Sequence, residues 1–559
     1  MKSRLWHLEI RNFKAFRQFD LNLEGRHLLL YGPNGSGKSS LYWALYTFLQ
    51  SARKKTEDVA KYFDPDNTQN LLNIHEQSKV TPVPGEIALT LRDMNTRNDT
   101  TYRISQTNHG TYKQPVIEKG DLASDFITYR FFFGFSHFRN SEKFNVWPLF
   151  EKEILPFCVS TGGKVPLEIW NKIKEEKPNP YNYSGYAGTD AYNTFKKHTK
   201  TLADMLPGIV DSISAEAQRF YDDHFSSDDT TKLSLKLRVT TPPTAVGTNQ
   251  NNFEFTRPVI QFGIQVGGET IHRPQTFLNE AKLTQLALSV RFGASLVNLH
   301  ESDLKLLVLD DLLVSLDMSN RLKVVEILLS DTFANYQKII LTHDLGFFRE
   351  FRRTIGDSHE DWRFMSLAGV ASKVISVRNE KSAIEKAEDY LNHHDLEEAA
   401  VWMRKAAEDS ARRFRAMAEG KQPPLGEFHT LTENLRAARN KLREKLPIKL
   451  YEQVLKGVPE EHRDKLVRMN DDDIDTDGTL DPATKGRLKT QRGRLTSFLS
   501  KEGWRHLEAI ETLDAILRMT DRVLNPAAHW GEPALYDTEL QKALTLIRRL
   551  ENLVHSPSK

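Results

Sequence analysis

The stretch HLLLYGPNGSGKSSLYWALYTFL, residues 27–49, decides the fold. It opens on a short apolar run ending at Tyr31, which reads as a buried strand. GPNGSGKS, Gly32 to Ser39, follows, and behind it comes an apolar segment that reads as a helix. Strand, glycine-rich turn and helix, in that order, form the context that the pattern G-x-x-x-x-G-K-[ST] requires. The glycines let backbone N–H groups converge on phosphate oxygens, and the helix start adds positive potential there. Asn34, Gly35, Ser36, Gly37, Lys38, Ser39 and Ser40 are the candidate cradle. Lys38 would reach the β- and γ-phosphates, and the Ser39 hydroxyl would ligate Mg2+.

Two later stretches supply what a phosphate site lacks. LKLLVLDD, 304–311, is an apolar strand that ends in two carboxylates. The C-terminal ends of buried strands are where α/β sheets place chemistry. Asp310 is the candidate Mg2+ holder, and Asp311 the group that polarises an attacking water. IILTHD, 339–344, repeats the design with His343 at the strand end, placed to hydrogen-bond a γ-phosphate or that water.

Size and composition frame these motifs. A chain of 559 residues predicts two or three domains, and 39% hydrophobic residues predicts folded ones. Lys and Arg number 77 against 75 Asp and Glu, so overall charge names no partner. The single cysteine, Cys158, excludes an intramolecular disulfide and a cysteine-based zinc site, which suits a reducing cytoplasm. The start MKSRLWHLEIRNFKAF is charged throughout, unlike a secretory signal, and no apolar run is long enough for a membrane span.

Further elements follow from periodicity. Strands are expected at LWHLEIRNF and RQFDLNL, a hairpin over 85–105, helix over 126–155 and 194–225, and strands at 233–240 and 259–266. The turn-rich stretch 177–192 reads as an exposed loop. FLNEAKLTQLALSVRFG, 277–293, begins with a polar knot, Asn279 to Lys282, and continues as an amphipathic helix with Leu283, Leu286 and Val290 toward a core. From about 380 the period is helical, so a domain boundary is expected within 370–382: residues 1–375, with a helical insertion around 140–230, and residues 376–559.

The order and spacing of these motifs resemble the ABC-type ATPase head of SMC and RecF-like proteins. LEIRNFKAF followed by LEGRHLLLYGPNGSGKSSL is similar to how such heads begin. Ser315 to Asp317 resembles their D-loop and His343 their switch histidine. LNEAKLTQLALS stands where they carry the signature motif. The resemblance implies an α/β P-loop head with a mixed sheet and an all-α C-terminal domain. It implies ATP and Mg2+ as cofactors, and a homo-oligomer, a dimer or higher, that sandwiches ATP. Asn279 would then donate to the γ-phosphate held by a second subunit, while also capping its own helix. The family's usual glutamate is here Asp311, one methylene shorter, so hydrolysis is expected to be slow or to need a tightly closed dimer. No glutamine suits the Q-loop; His137, in FFFGFSHFRN, is the candidate there and a possible metal ligand. No long heptad pair is present, so coiled-coil arms are not expected.

The tail leaves alternatives open. KGRLKTQRGRLTSFLSKEGWRHLEAI is basic with Phe498 and Trp504 interleaved, and reads as an exposed helix or a nucleic-acid contact. DDDIDTDG, 471–478, has part of a calcium-loop spacing but Thr484 at the position of the bidentate glutamate, so a solvated acidic loop is the competing reading. Arg522 and His529 in RVLNPAAHW resemble the R-x(4–6)-H pattern of HEPN ribonucleases, or else close a helix before Pro526. Head and tail together resemble the PtuA family of ATPases from Septu and retron antiphage systems. That resemblance implies regulation of a small HNH nuclease (PtuB), and in retron forms a complex with a reverse transcriptase and its RNA-linked DNA. An ATP-gated ribonuclease of the anticodon-nuclease kind and a RecF-like DNA-repair ATPase are the alternatives.

Overall fold

The computed structural model describes residues 2–128, 130–131, 135, 144–160, 163–177, 189–226, 233–247, 253–297, 302–312, 318–356, 360–369, 375–421, 429–445, 454, 456–469, 471–498, 504–525 and 535–555. His137, the Ser315–Asp317 segment, His529 and most of the 177–192 loop lie outside them. The chain divides into two compact units, Met1–Phe351 with Glu360–Glu380, and Arg352–His359 with Lys381–Lys559.

The first unit is built on two sheets. Strands β1 (Ser3–Phe13), β2 (Phe16–Asn22), β4 (Glu86–Asp93) and β5 (Asp99–Ser105) form an antiparallel sheet in the order β2-β1-β4-β5. Alternation in β1 buries Leu8 and Ile10 and leaves Glu9 and Arg11 on the other face, the pattern of a sheet with one wet side. The second sheet has the order β15-β14-β3-β13-β12-β6. Its strands are β3 (His27–Tyr31), β6 (Asp125–Thr128), β12 (Leu306–Asp310), β13 (Gln337–Thr342), β14 (Trp362–Ala368) and β15 (Ser376–Asn379). All pairs are parallel except β14 with β15. Every residue of β12 and β13 is buried, as expected of parallel strands covered on both faces. Helix α1 (Lys38–Ser51) follows β3, and its Leu41, Leu45 and Phe48 share one core with Leu8 and Ile10 of the first sheet and Val308 and Ile339 of the second.

Residues 126–155 do not begin as helix. Asp125–Thr128 is strand β6, in register with β12 from Leu307↔Asp125 to Asp310↔Thr128. A short apolar run has no periodicity to separate strand from helix. The unpaired edge of β12 settles it, because a buried strand edge must find backbone partners. Between β6 and β12 the chain runs through helices α2 (Pro166–Glu176) and α3 (Asp190–His224) and a small antiparallel sheet, β11-β10-β7, made of Leu233–Thr241 (β7), Val259–Val266 (β10) and Glu269–Ile271 (β11). The paired three-residue strands β8 (Thr244–Val246) and β9 (Glu254–Thr256) lie between β7 and β10.

Helix α4 (Glu280–Val297) then returns to the sheets. Gly293 explains its close fit on α3: a Cβ there would stand 2.7 Å from the Ala217 nitrogen. Arg291, 1% exposed, ties α4 to the sheet. Its guanidinium makes a two-pronged ion pair with Asp125 at the start of β6, and also donates to Ser295 Oγ (3.1 Å) and the Phe126 carbonyl (3.2 Å). Helices α5 (Met318–Leu329) and α6 (Leu345–Ile355) follow β12 and β13.

The described residues of the second unit are helical, in keeping with an α/β head followed by an all-α region. Its α7 (Ala383–Asn392) opens with a capping box of Ser382 and Glu385, and α8 (Leu396–Glu419) stops at Gly420 in the left-handed region (φ 69°). These pack with α9 (Leu431–Lys445), α12 (Trp504–Met519) and α13 (Asp537–His555) around Ala387, Met403, Leu435, Leu513 and Ile547. A smaller core, with Leu466, Ile474 and Leu488, holds α10 (Asp471–Thr476) and α11 (Pro482–Phe498). The calcium-loop reading fails here. Asp471–Thr476 is helical, and its carboxylates face lysine and arginine: Asp475 pairs with Lys489, and Asp471 with Arg492 at 3.3 Å. Asp477 pairs with Lys465 at 2.6 Å. Among the described residues no helix is long and apolar enough to cross a membrane.

Candidate functional site

The turn after β3 requires glycine. Gly35 (φ 81°) and Gly37 (φ 101°) occupy the left-handed region, where a side chain is strained. At Gly37 a Cβ would also meet the Phe16 ring at 2.8 Å. The turn delivers Lys38 and Ser39 at the start of α1, whose first N–H groups have no partner within the helix. Asn34, Gly35 and Ser39 are exposed, while Ser36, Gly37 and Lys38 are buried. The Lys38 ammonium donates to the carbonyls of Gly32 (2.8 Å) and Pro33 (3.3 Å) and stands 3.6 Å from Asp311.

Strands β12 and β13 bring the remaining candidates to the same edge. Asp310 is 6% exposed and lies beside the Ser39 hydroxyl. Burial pushes its carboxyl up to about 6; Ser39 and the Lys38 charge oppose that rise, and the neighbouring Asp311 adds to it. Asp311 has a left-handed backbone (φ 51°). Aspartate tolerates that region better than longer side chains, because its short carboxylate bonds locally. This is a physical reason for aspartate here. Its Oδ1 accepts from both the backbone N–H and the ring Nδ1 of His343, each at 2.9 Å. A carboxylate only accepts, so Nδ1 carries the proton in that pair and Nε2 remains available.

Ser40 is buried, and its hydroxyl oxygen accepts from the Ala15 N–H at 3.2 Å, a bond that leaves the hydroxyl proton to donate. Asn279 is exposed, and its Oδ1 accepts from the Lys282 N–H at 2.8 Å. The capping half of that dual reading is therefore present. Arg522, in the second unit, pairs with Glu539 at 3.3 Å and lies over the Tyr536 ring.

Sequence reasoning missed several residues. Thr128 ends β6 opposite Asp310, and its Oγ1 is buried without a hydrogen-bond partner. Arg130, two residues on, favours the charged form of Asp310. Lys14, in the β1–β2 turn that bonds Ser40, lies over Trp43 of α1, and burial lowers its pKa. Gln285 of α4 donates to Asn320 of α5 (2.9 Å), and Asn320 reaches the Ala281 carbonyl. A threonine closing a short strand was the available signal for Thr128, but its partner strand was not. Ser36 Oγ and Asp310 Oδ1 are likewise buried and unpartnered. Three orphaned oxygens around one turn fit a polar, multidentate group such as a Mg2+-bound triphosphate, because buried oxygens left unpaired are costly.

Residues 4–363 match the RecF/RecN/SMC N terminal domain. A 47-residue stretch is 47% identical to the DNA replication and repair protein RecF of Roseiflexus castenholzii, covering 8% of this chain and only 12% of that protein. The Smc head domain of Pyrococcus furiosus, with an extended coiled coil and bound to the C-terminal domain of ScpA, is similar over 70% of this chain and all of that one, at 12% identity and a TM-score of 0.38. The recombination mediator protein RecF with ATP, from the RecFOR pathway, is similar over 68% of this chain and 98% of that one, at 12% identity and a TM-score of 0.39. The family match alone carries the assignment.

Proposed function

The chain belongs to the RecF/RecN/SMC N-terminal domain family, and from that premise we propose that it binds and hydrolyses ATP, dimerises around it, and controls a nuclease in antiphage defence. The convergence of Lys38, Asp310, Asp311 and His343 on one sheet edge supports the ATP part of this reading, and the resemblance to PtuA-type ATPases supplies the nuclease and the defence role.

Each group has a task. Lys38 exchanges the Gly32 and Pro33 carbonyls for β- and γ-phosphate oxygens, and the first N–H groups of α1 cradle the β-phosphate. Ser39 and Asp310 would hold Mg2+, which supplies charge neutralisation on the phosphate oxygens. Asp311 accepts a proton from the attacking water. His343, its ring fixed by the Nδ1–H bond to Asp311, keeps Nε2 as an acceptor for the attacking water. Asn279 keeps Oδ1 on its own helix and offers its amide N–H2 to a nucleotide held by a second copy.

The test is direct. With a slowly hydrolysed ATP analogue, the wild-type chain should bind nucleotide and double in mass by light scattering, whereas Lys38→Ala should do neither. Nucleotide binding that survives Lys38→Ala unchanged sinks the site assignment. The finer reading, a Septu or retron ATPase, is tested by co-purification from the native operon. A small HNH nuclease, with or without a reverse transcriptase and its RNA-linked DNA, is the expected companion. A self-contained ribonuclease would cut RNA alone and lose cutting on His529→Ala. A RecF-like repair ATPase would bind gapped DNA in an ATP-dependent manner and have no nuclease companion.

A further inference from the structure

Helix α11 carries a repeat that the nucleotide site does not use. Lys485-Gly486-Arg487-Leu488-Lys489-Thr490 recurs seven residues later as Arg492-Gly493-Arg494-Leu495-Thr496-Ser497. Seven residues make about two helical turns, so each residue lies nearly over its counterpart. Leu488 and Thr484 are buried and define the inward side. Gly486, Thr490, Gly493 and Ser497 fall on the opposite side, and all four are exposed. Among the described residues nothing lies within 4 Å of where a Cβ would stand at Gly486 or Gly493, so packing against them accounts for neither glycine. Both weaken an exposed helix relative to alanine.

The cations sort by side. Lys485 donates to the Asp475 carbonyl at 2.8 Å, Lys489 pairs with the Asp475 carboxylate, and Arg492 pairs with Asp471. Arg487 and Arg494 project from the other flank of the glycine strip, are exposed, and have no ion-pair or hydrogen-bond partner among the described residues. Helix geometry puts them about 10 Å apart along the axis.

We propose that this face of α11 binds the sugar–phosphate backbone of a nucleic acid. Arg487 and Arg494 contact phosphates, and the Gly486–Thr490–Gly493–Ser497 strip lies flush against the strand. Guanidinium groups match phosphate with two parallel bonds, and the Thr490 hydroxyl, which donates to the Gly486 carbonyl at 2.8 Å, keeps the strip low beside them. The bare glycines favour a nucleic acid over an acidic protein surface. Carboxylate side chains reach an arginine from a distance and gain nothing from an uncovered helix, whereas a phosphate backbone gains contacts by approaching closely.

The full chain is titrated against labelled 25-nucleotide single-stranded DNA, the same RNA sequence and the matching duplex, by fluorescence anisotropy from 50 to 200 mM salt. Arg487→Gln/Arg494→Gln should weaken binding about tenfold and reduce the slope of log affinity against log salt by about 1.4 on single strands or 1.8 on duplex. The substrate with the larger loss identifies the nucleic acid. Gly486→Gln/Gly493→Gln should raise thermal stability, because glutamine is the better helix former, and yet weaken binding. A merely structural role for the glycines would not separate those readouts. Wild-type affinity and slope in the arginine variant, unimpaired binding in the glycine variant, no binding by the wild type at 50 mM salt, or equal arginine-dependent binding of polyglutamate would each overturn the proposal.

Discussion

Replacing Asp125 by alanine tests the joint that seats α4 on the sheet. Asp125 is 3% exposed and Arg291 1% exposed, so the substitution leaves a guanidinium in the interior with only Ser295 and the Phe126 carbonyl as partners. Breaking one side of a buried ion pair costs about 3–5 kcal/mol, because the remaining charge stays desolvated without its counterion. Removing both charges, as in Asp125→Ala/Arg291→Met, should recover most of that loss. Hydrogen exchange of amides in 283–296, in the full chain, reads the opening free energy of α4 without assuming two-state unfolding of a two-unit protein. The single variant should lower it by about 4 kcal/mol and the double variant by about 1 kcal/mol. Asn279 lies twelve residues upstream, about 18 Å along the helix, so the single variant should also impair ATP-dependent dimerisation while sparing nucleotide uptake. A loss below about 1 kcal/mol in the single variant, or equal losses in single and double, would show that the pair does not hold α4.

Three further outcomes are expected. Asp311→Asn keeps an acceptor for His343 but removes the base, so ATP should hold the variant as a stable dimer; elution as a monomer at saturating ATP refutes the assignment. Asn279→Arg should abolish dimerisation by light scattering while ATP uptake, measured by calorimetry, stays within about twofold (roughly 0.4 kcal/mol). Lys338, 5% exposed, has its pKa lowered to about 8 by burial. Between pH 8 and 10.5 the unfolded chain holds the proton that the folded chain has released, so stability rises with pH across that window. Lys338→Met should therefore gain about 3 kcal/mol at pH 7, with the gain fading toward pH 10, in urea unfolding followed by tryptophan fluorescence; a gain constant with pH contradicts the burial argument.

What could be read from sequence was what local chemistry imposes. The glycine turn, the apolar strands 306–310 and 337–342, and the carboxylates and histidine at their ends each follow from a contiguous run of residues. Asp311 and His343 were legible as individual candidates, but their mutual bond depends on the parallel register of β12 and β13, which no local pattern encodes. Thr128 escaped for the same reason. It matters because β6 lies beside β12, with Thr128 paired to Asp310, a residue far along the chain.

The Asn279 stretch shows where sequence reasoning stops for a different reason. An amide at a helix start caps the helix and presents N–H groups outward, and both roles use the same residues. The observed Oδ1 bond to Lys282 satisfies the cap and leaves the amide N–H2 uncommitted by it. The neighbouring Phe277 is 58% exposed, an apolar surface on the same short turn. Within one protomer the cap accounts for Asn279 but not for Phe277. A second copy closing over the turn accounts for both, because it would bury the phenyl ring as it brings a phosphate to the amide.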